Sequence, residues 1–331
     1  MSTIKPLKIP RLQSGGLITN YYCTSACRHC LYGCSPRWEK KYIEKSTAIR
    51  MLKIIDRMGC RSIHIGGGEP FLNPDGLEDT LKAAAETGIS VDYVETNSSW
   101  YQDHAQGVPL LNRLRQAGLN TLLVSMSPFH NEHIPFYKVK GVISACRETG
   151  ITVFPWIREF FPEIDSFDER TPHRLSEYTA AFGGDYLERI PSRYWIHFGG
   201  RALETFSKSF PGHTPEDLCT LNTAGCSELC DTSHFHMDLF GNYIPGLCSG
   251  LAIQTDHLPG PLSQSEYPML SLLYSEGIRG LYSMASQRFN FTPNNSYISK
   301  CHLCLDIRKH MVINCGVKSV ELQPEEFYKH V

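Results

Sequence analysis

A pattern of helix, glycine and strand repeats through the first half of the chain and limits the folds open to it. Each helix-like stretch ends at a glycine, which can take the left-handed conformation that terminates a helix, and a strand-like run follows. These runs are GCRSIHI from Gly59, GISVDYV from Gly88, GLNTLLV from Gly118 and GITVFPW from Gly150. Their spacing of about thirty residues corresponds to one strand-plus-helix unit. With GLITNYY (16–22) and RYWIHF (193–198), the pattern predicts about six parallel strands joined by right-handed crossovers.

The repeat ends near Thr214, and the residues after it are organised differently. The run at 237–244, MDLFGNYI, predicts a β-hairpin, and LCLDIRKHMVI at 303–313 predicts a helix. We therefore predict two domains, an α/β core of residues 1–213 and a smaller α+β domain of residues 214–331.

The number and spacing of the cysteines predict metal sites rather than disulfide bonds. There are 13 of them, an odd number, and the chain shows no signal peptide. Cys23, Cys27 and Cys30 form a CxxxCxxC loop directly after the first predicted strand. Three thiolates in one loop can bind three irons of a cubane and leave the fourth iron open for catalysis. A zinc site and a metal-free cysteine loop are the alternatives that this spacing leaves open.

A glycine run follows the second predicted strand. Gly66-Gly67-Gly68-Glu69-Pro70 comes directly after RSIHI. Glycines at a strand end let a ligand approach the backbone and present amides to a carboxylate. Glu69 adds a negative charge for an ammonium group. Because the carboxyl ends of parallel strands meet at one rim, we expect this run to lie near the cysteine loop.

Together, the CxxxCxxC loop at 23–30 and the GGEP motif at 67–70 resemble those of the radical S-adenosylmethionine (SAM) superfamily. The resemblance covers about residues 16–210 and implies a partial (βα)6 TIM-like barrel. It implies that SAM binds the open iron of a [4Fe–4S] cluster through its amino and carboxylate groups. It further implies that SAM is cleaved to methionine and a 5′-deoxyadenosyl radical, which abstracts a substrate hydrogen atom.

The resemblance also implies roles for residues at other strand ends. His29 would lie near the adenine, Gly67 and Gly68 beside SAM, and Glu69 against the SAM amino group. Contacts to the SAM carboxylate or ribose are implied for Ser125, Ser127 and Arg158. Each of these serines and the arginine could equally be a rim residue without a ligand. Glu95-Thr96-Asn97 resembles the family's Thr-Asn-Gly, with Ser98 in place of the glycine.

A second cysteine set lies in the C-terminal part. Cys230 and Cys248 flank the predicted hairpin, and Cys301 and Cys304 form a CxxC at the start of the predicted helix. Four thiolates are a complete ligand shell, for zinc or for an iron–sulfur cluster. This arrangement resembles the twitch domain, a short relative of the SPASM domain, and implies an auxiliary [4Fe–4S] cluster. The hairpin departs from the family spacing, so Cys226 could replace Cys230.

The composition of the chain limits the classes of binding partner that we expect. The net charge of −2 and the sequence pI of about 6.7 argue against a generally basic nucleic-acid binder. With no apolar run of membrane-spanning length, we expect a cytoplasmic protein without membrane contact. A radical SAM enzyme also needs an external electron donor such as flavodoxin or ferredoxin.

The sequence thus predicts a radical SAM oxidoreductase that uses its second cluster as an electron conduit. The candidate bases or substrate binders are Glu95, His130, Arg158 and Glu159, at or near predicted strand ends. A small-molecule substrate is favoured, because no added peptide-recognition domain is evident. The alternatives are a peptide-modifying maturase, a noncatalytic iron–sulfur carrier or scaffold, and a zinc-stabilised binding protein.

Overall fold

The computed structural model of the chain describes residues 6–156 and 158–331. The chain divides into two compact units that interleave along the sequence. We name the first the barrel unit; it consists of Gly15–Arg28 and Cys34–Ile196. We name the second the cysteine unit; of the described residues, it consists of 6–14, His29–Gly33 and His197–Val331. No helix in the described ranges is long and apolar enough to cross a lipid bilayer.

Parallel strands form the centre of the barrel unit. They are β1 (Gly15–Ile18), β2 (Ser62–Gly66), β3 (Ser90–Thr96), β4 (Thr121–Ser125) and β5 (Thr152–Trp156). The strands pair in the order β5-β4-β3-β2-β1, and every one of these pairings is parallel. Strands that alternate with helices in this way form the predicted α/β partial barrel.

The helices of the barrel unit alternate with these strands and continue after the last of them. They are α1 (Lys45–Arg57), α2 (Pro74–Thr87), α3 (His104–Gln116), α4 (Pro128–Asn131), α5 (Phe136–Thr149), α6 (Phe161–Asp165), α7 (Leu175–Phe182) and α8 (Tyr186–Arg193). Helix α2 begins where the side chain of Asn73 accepts a hydrogen bond from the Gly76 amide, at 3.0 Å. Gly88 and Gly150 end α2 and α5 with φ of 72° and 69°. The left-handed glycines predicted from the sequence are therefore confirmed at these ends.

The predicted sixth strand, RYWIHF at 193–198, is wrong. Arg193 is the last residue of α8, and the residues after it carry no strand. Tyr194 and Ile196 are buried, whereas Trp195 is 63% exposed. This alternation of buried and exposed side chains imitates a strand, but here it belongs to an extended segment that leaves a helix.

The cysteine unit contains a small antiparallel sheet. Its strands are β6 (Phe235–Asp238), β7 (Asn242–Ile244) and β8 (Ile253–Gln254). The pairing of β6 with β7 and of β7 with β8 is antiparallel. The hairpin predicted at 237–244 is thus confirmed, with Gly241 in its turn at φ 85°.

The cysteine unit also contains helices. They are α9 (Arg201–Thr205), α10 (Pro215–Leu221), α11 (Pro268–Phe289) and α12 (Lys300–Lys309). Helix α12 continues into a π-helical turn at His310–Asn314, which confirms the helix predicted at 303–313. Helix α11 lies where the sequence indicated no definite element, and it is interrupted at Gly277, which has φ 65° and ψ −152°.

Candidate active site and candidate metal centre

The predicted cysteine loop and glycine run begin side by side in the barrel unit. The Gly68 amide donates to the Asn20 carbonyl at 2.7 Å, and the Glu69 amide donates to the Tyr22 carbonyl at 3.2 Å. A Cβ at Gly68 would lie 2.1 Å from the Tyr22 carbonyl oxygen, closer than any side chain permits. Glycine is therefore required here by the approach of the segment leading to Cys23, a role beyond the predicted contact with a ligand.

Glu69 is buried in a network of the protein's own donors. Its carboxylate accepts hydrogen bonds from the Asn97 amide at 2.6 Å, the Thr96 hydroxyl at 3.0 Å and the Phe71 amide at 3.2 Å. Burial raises the pKa of Glu69 to about 7, although these hydrogen bonds oppose the shift. The structure thus gives this carboxylate a clear role in joining the ends of β2 and β3. Its contact with the SAM amino group remains a prediction.

Asn97 links the end of β3 to the cysteine loop. Its side-chain amide donates to the Cys23 sulfur at 3.3 Å, and the Ser25 amide donates to the same sulfur at 3.4 Å. Ser98 has φ 68°, a left-handed conformation that is uncommon for residues other than glycine. The position at which the family pattern has glycine therefore keeps the glycine-like backbone.

The three predicted cluster ligands lie close together in the chain. Cys23 and Cys27 are buried and belong to the barrel unit, whereas Cys30 is half-buried and belongs to the cysteine unit. The Cys30 carbonyl accepts a hydrogen bond from the Arg201 amide at 3.1 Å. His29, the predicted adenine neighbour, is half-buried in the same short segment. Thiols with N–H donors directed at their sulfur suit metal ligation, because such hydrogen bonds stabilise a thiolate.

Glu95 and His64 form an ionisable pair on β3 and β2. His64 Nε2 lies 4.0 Å from Glu95 Oε1, and the imidazole stacks on the Tyr93 ring with centroids 5.0 Å apart. The carboxylate is 39% exposed, whereas the histidine side chain is 4% exposed. A Cβ at Gly66 would lie 2.7 Å from Glu95 Oε2, so the carboxylate touches the first glycine of the predicted SAM-binding run. Burial and the nearby Glu95 raise the pKa of Tyr93.

His64 is a functional candidate that the sequence reasoning missed. A Cβ at Gly16 would lie 2.3 Å from its Nε2, so the glycine in β1 leaves room for the imidazole. The available signal was the alternation of side chains along a strand, which places residues 64 and 66 on the same face. A buried histidine two residues before a glycine run could have been recognised from that rule.

The other predicted site residues lie at the ends of β4 and β5. Ser125 is half-buried at the end of β4, and Ser127 is buried and contacts His130, with Oγ 2.8 Å from Nδ1. Burial, with His133 nearby, lowers the pKa of His130 to about 4, so it is neutral at pH 7 and a weak base. Arg158 and Glu159 are exposed in a short 3₁₀ helix after β5. Their predicted contacts remain predictions.

Four thiols of the cysteine unit line one cavity of about 50 Å³, those of Cys226, Cys248, Cys301 and Cys304. Cys230, the ligand first predicted from the sequence, is exposed and is not part of this lining. The fourth cysteine at the cavity is Cys226, the alternative left open by the unusual hairpin spacing, and its binding of a metal remains a prediction. The other three residues predicted for this set are all at the cavity.

The break in helix α11 explains how Cys226 reaches the cavity. In a continuous helix the Leu273 carbonyl would accept from the amide four residues later, that of Gly277. Here the Leu273 carbonyl accepts from the Cys226 amide at 2.8 Å, beside the interruption of the helix at Gly277. A Cβ at Gly277 would lie 2.3 Å from the Ala224 carbonyl oxygen. Glycine is thus needed for the segment before Cys226 to pack against α11.

Three of the thiols at the cavity have raised pKa values. Burial, together with Glu228, raises the pKa of Cys226 to about 12, and burial, together with Cys304, raises that of Cys301 to about 11. The pKa of Cys248 is also raised by burial and by the three neighbouring thiols. Thiols held together and desolvated in this way become thiolates when a metal centre compensates their charge. The donor set therefore fits a four-thiolate metal centre.

The comparisons with known proteins give one family match, which lies in the first half of the chain. Residues 17–154 match the family model described as the Radical SAM superfamily. Among curated proteins, none matched the sequence significantly.

Solved structures give distant similarities. The chain is similar to anSMEcpe with bound AdoMet at 13% identity, over 97% of this chain and 99% of that chain, with a TM-score of 0.45. It is similar to SuiB of Streptococcus suis bound to the precursor peptide SuiA at 14% identity, over 97% and 76% of the two chains, with a TM-score of 0.35. HydG, a maturase of the [FeFe]-hydrogenase, shows 20% identity over 44% of this chain and 35% of its own, with a TM-score of 0.33.

Proposed function

We propose that this chain is a radical SAM enzyme, which would use a [4Fe–4S] cluster and SAM as its cofactors, and that it oxidises a small molecule through a substrate radical; the match of residues 17–154 to that superfamily supports the proposal. The observation that carries the proposal is the contact between the glycine run and Asn20 and Tyr22, the residues that lead into the CxxxCxxC segment after β1. Beside them, the pair of Glu95 and His64 supplies groups that can accept a proton.

Cys23, Cys27 and Cys30 would hold the first cluster, and the run from Gly66 to Glu69 would lie beside SAM. When bound and reduced, this cofactor pair supplies a 5′-deoxyadenosyl radical that abstracts a hydrogen atom. Asn97 and the Ser25 amide stabilise the Cys23 thiolate, through contacts of 3.3 and 3.4 Å. Glu69 holds the end of β3 against the glycine run, and so keeps Asn97 beside the cysteine loop.

Glu95 is the proposed general base. A substrate radical that loses one proton and one electron gains a double bond, so hydrogen-atom abstraction followed by this loss is a two-electron oxidation. The Glu95 carboxylate is accessible and touches the first glycine of the run, and the His64 imidazole lies 4.0 Å away, where a positive charge on it would favour the carboxylate form. Of the four candidate bases or substrate binders predicted from the sequence, Glu95 is the one that is both accessible and in contact with the glycine run.

The cysteine unit is proposed to hold an auxiliary [4Fe–4S] cluster on Cys226, Cys248, Cys301 and Cys304. A cluster with four protein ligands has no open iron, and when bound it would accept the electron released by the substrate. We propose residues 214–331 as a twitch-like domain and residues 1–213 as the radical SAM core. A flavodoxin or ferredoxin in the cytoplasm would supply the reducing electron.

The experiment that tests this function is anaerobic incubation of the reconstituted protein with SAM and dithionite. We expect 5′-deoxyadenosine from the wild type and from the control C315A, which changes an exposed cysteine. We expect none above background from the triple variant C23A/C27A/C30A. Formation of 5′-deoxyadenosine at the wild-type rate by the triple variant would overturn the assignment.

The same preparation separates the other functions. A noncatalytic iron–sulfur carrier would contain iron and sulfide but form no 5′-deoxyadenosine. A zinc-stabilised binding protein would contain zinc in place of iron. A peptide-modifying maturase would change the mass of a peptide encoded beside its gene, which mass spectrometry detects, whereas the proposed enzyme would leave that peptide unchanged.

A further inference from the structure

Arg308 places a buried positive charge at the four-thiol cavity. It is 5% exposed and lines the same cavity as Cys226, Cys248, Cys301 and Cys304. Its Nη1 donates to the Ser249 carbonyl at 2.9 Å and to the Tyr328 hydroxyl at 3.0 Å. Its Nε is buried and has no hydrogen-bond acceptor among the described residues. A donor in this state requires an acceptor that the protein itself does not supply.

The guanidinium also requires a counter-ion. No carboxylate of the described residues forms an ion pair with it, and the acidic groups that act most strongly on its charge are the Tyr328 hydroxyl and the thiols of Cys304 and Cys248. Lys300, the other cation at the cavity, already pairs with Glu228 at 2.8 Å. Because an unpaired buried charge is very costly, an anion bound in the cavity that Arg308 lines would stabilise this arginine.

Helix α12 holds this cation in a fixed relation to its ligands. Cys301, Cys304 and Arg308 are separated by three and four residues, and therefore share one face of the helix. The contacts to Ser249 and Tyr328 fix the guanidinium from the other side, and the Tyr328 hydroxyl is itself held by the Gly250 carbonyl at 2.6 Å. The charge is thus placed before any metal binds.

We propose that Arg308 is the built-in counter-ion and N–H donor of the four-thiolate centre and raises its reduction potential. This inference rests on the auxiliary cluster of the proposed function. Each electron added to such a cluster increases its negative charge, so a fixed cation and a hydrogen bond to sulfur stabilise the reduced form more than the oxidised form. Arg308 is therefore a positioning and tuning residue for electron acceptance.

The test measures the midpoint potential of the second cluster by electron paramagnetic resonance during a redox titration. All variants are made in the C23A/C27A/C30A protein, in which the second centre alone contributes to the paramagnetic resonance signal. For R308M, which removes the charge but retains a long side chain, we expect the equilibrium constant for reduction to fall about tenfold, a shift of about 59 mV to more negative potential. R308K retains a charge but loses the Nε–H, so we expect a smaller shift in the same direction. The control R288M changes an exposed arginine of α11 and should leave the potential unchanged.

The outcomes separate the two levels of the proposal. If the background protein carries zinc, or no iron at the second centre, the auxiliary cluster of the proposed function is wrong. If the cluster is present and both R308M and R308K titrate at the potential of R288M, the role of Arg308 is wrong while the cluster stands. If R308M does not retain iron, the test depends on R308K. A midpoint potential of R308K equal to that of C23A/C27A/C30A without a change at residue 308 overturns the inference.

Discussion

The interruption of helix α11 permits a quantitative test, the substitution Gly277→Ala. The backbone of Gly277 has φ 65° and ψ −152°, and backbone strain of this kind costs a residue with a side chain about 1–3 kcal/mol. A Cβ would also lie 2.3 Å from the Ala224 carbonyl oxygen. Moving Ala224 away would break the hydrogen bond from the Cys226 amide to Leu273, which costs about 0.5–1.5 kcal/mol.

We therefore expect G277A to lower the free energy of unfolding of the metal-free protein by about 2–4 kcal/mol. We also expect it to lower the iron content of the second centre, because Cys226 moves with the displaced segment. The matched control is G88A. Gly88 is also left-handed, at φ 72°, but nothing lies within 4 Å of its Cβ, so the expected cost is about 1 kcal/mol without loss of iron.

The assay has two parts, urea denaturation followed by circular dichroism and iron analysis after anaerobic reconstitution. The first reports the strain at residue 277, and the second reports the position of Cys226. The reasoning is refuted if G277A unfolds at the same urea concentration as G88A and binds the full amount of iron. Loss of stability with full iron would show that the helix break does not position Cys226.

Three further predictions follow from the two sites. C226A should reduce the iron content from about eight to about four per chain, whereas C230A should leave it unchanged; equal losses in both variants would contradict the ligand set. E95Q should retain 5′-deoxyadenosine formation but lower substrate oxidation by about 10²–10⁴-fold, and E86Q, on the exposed side of α2, should leave both rates unchanged. The pKa of Glu69 is about 7 in the folded protein, above its ordinary value of 4.5. Between pH 4.5 and 7, the folded protein therefore binds a proton at Glu69 that the unfolded protein does not bind. The stability of the metal-free protein should therefore fall as the pH rises from about 4.5 to about 7, with a smaller slope in E69Q, as measured by urea denaturation at a series of pH values.

The strands and helices of the barrel unit up to β5 were predicted well, because the hydrophobic periodicity and the helix-ending glycines indicate the same elements there. In β2 and β4 a buried apolar run follows a glycine that ends the preceding helix, so periodicity and helix-ending chemistry point to the same element. Arg193–Phe198 shows the limit of this reasoning. Its buried and exposed residues alternate as in a strand, but alternation does not supply a neighbouring strand for the backbone to pair with.

Helix α11 could not be predicted because its sequence is locally inconsistent. Gly277 and Gly280 lie within it, and glycine weakens a helix by about 1 kcal/mol relative to alanine. The helix persists because one side is buried, with Leu270, Leu273 and Leu281 among its most buried residues. Tertiary packing of this kind has no signal in a short window of sequence.

The residues of the candidate sites also differ in whether the sequence could identify them. The loop containing Cys23 and the CxxC at Cys301 could be found because their residues are close in the chain. The choice of Cys226 over Cys230 depends on a hydrogen bond to Leu273, far away in sequence. His64 was missed because a single histidine in an apolar strand gives no motif, and its significance comes from Glu95 on the neighbouring strand.

The short segment His29–Gly33 has a consequence for how this protein can be divided in the laboratory. It belongs to the cysteine unit although it lies between two stretches of the barrel unit. A Cβ at Gly33 would meet Val331, His330 and Phe327 at 3.2–3.4 Å, so the final residues of the chain pack on this segment. A fragment that stops at residue 213 would leave the peptide carrying Cys30 without that support. The protein is therefore best expressed whole, and C-terminal truncation or tagging should disturb cluster assembly near the N-terminus.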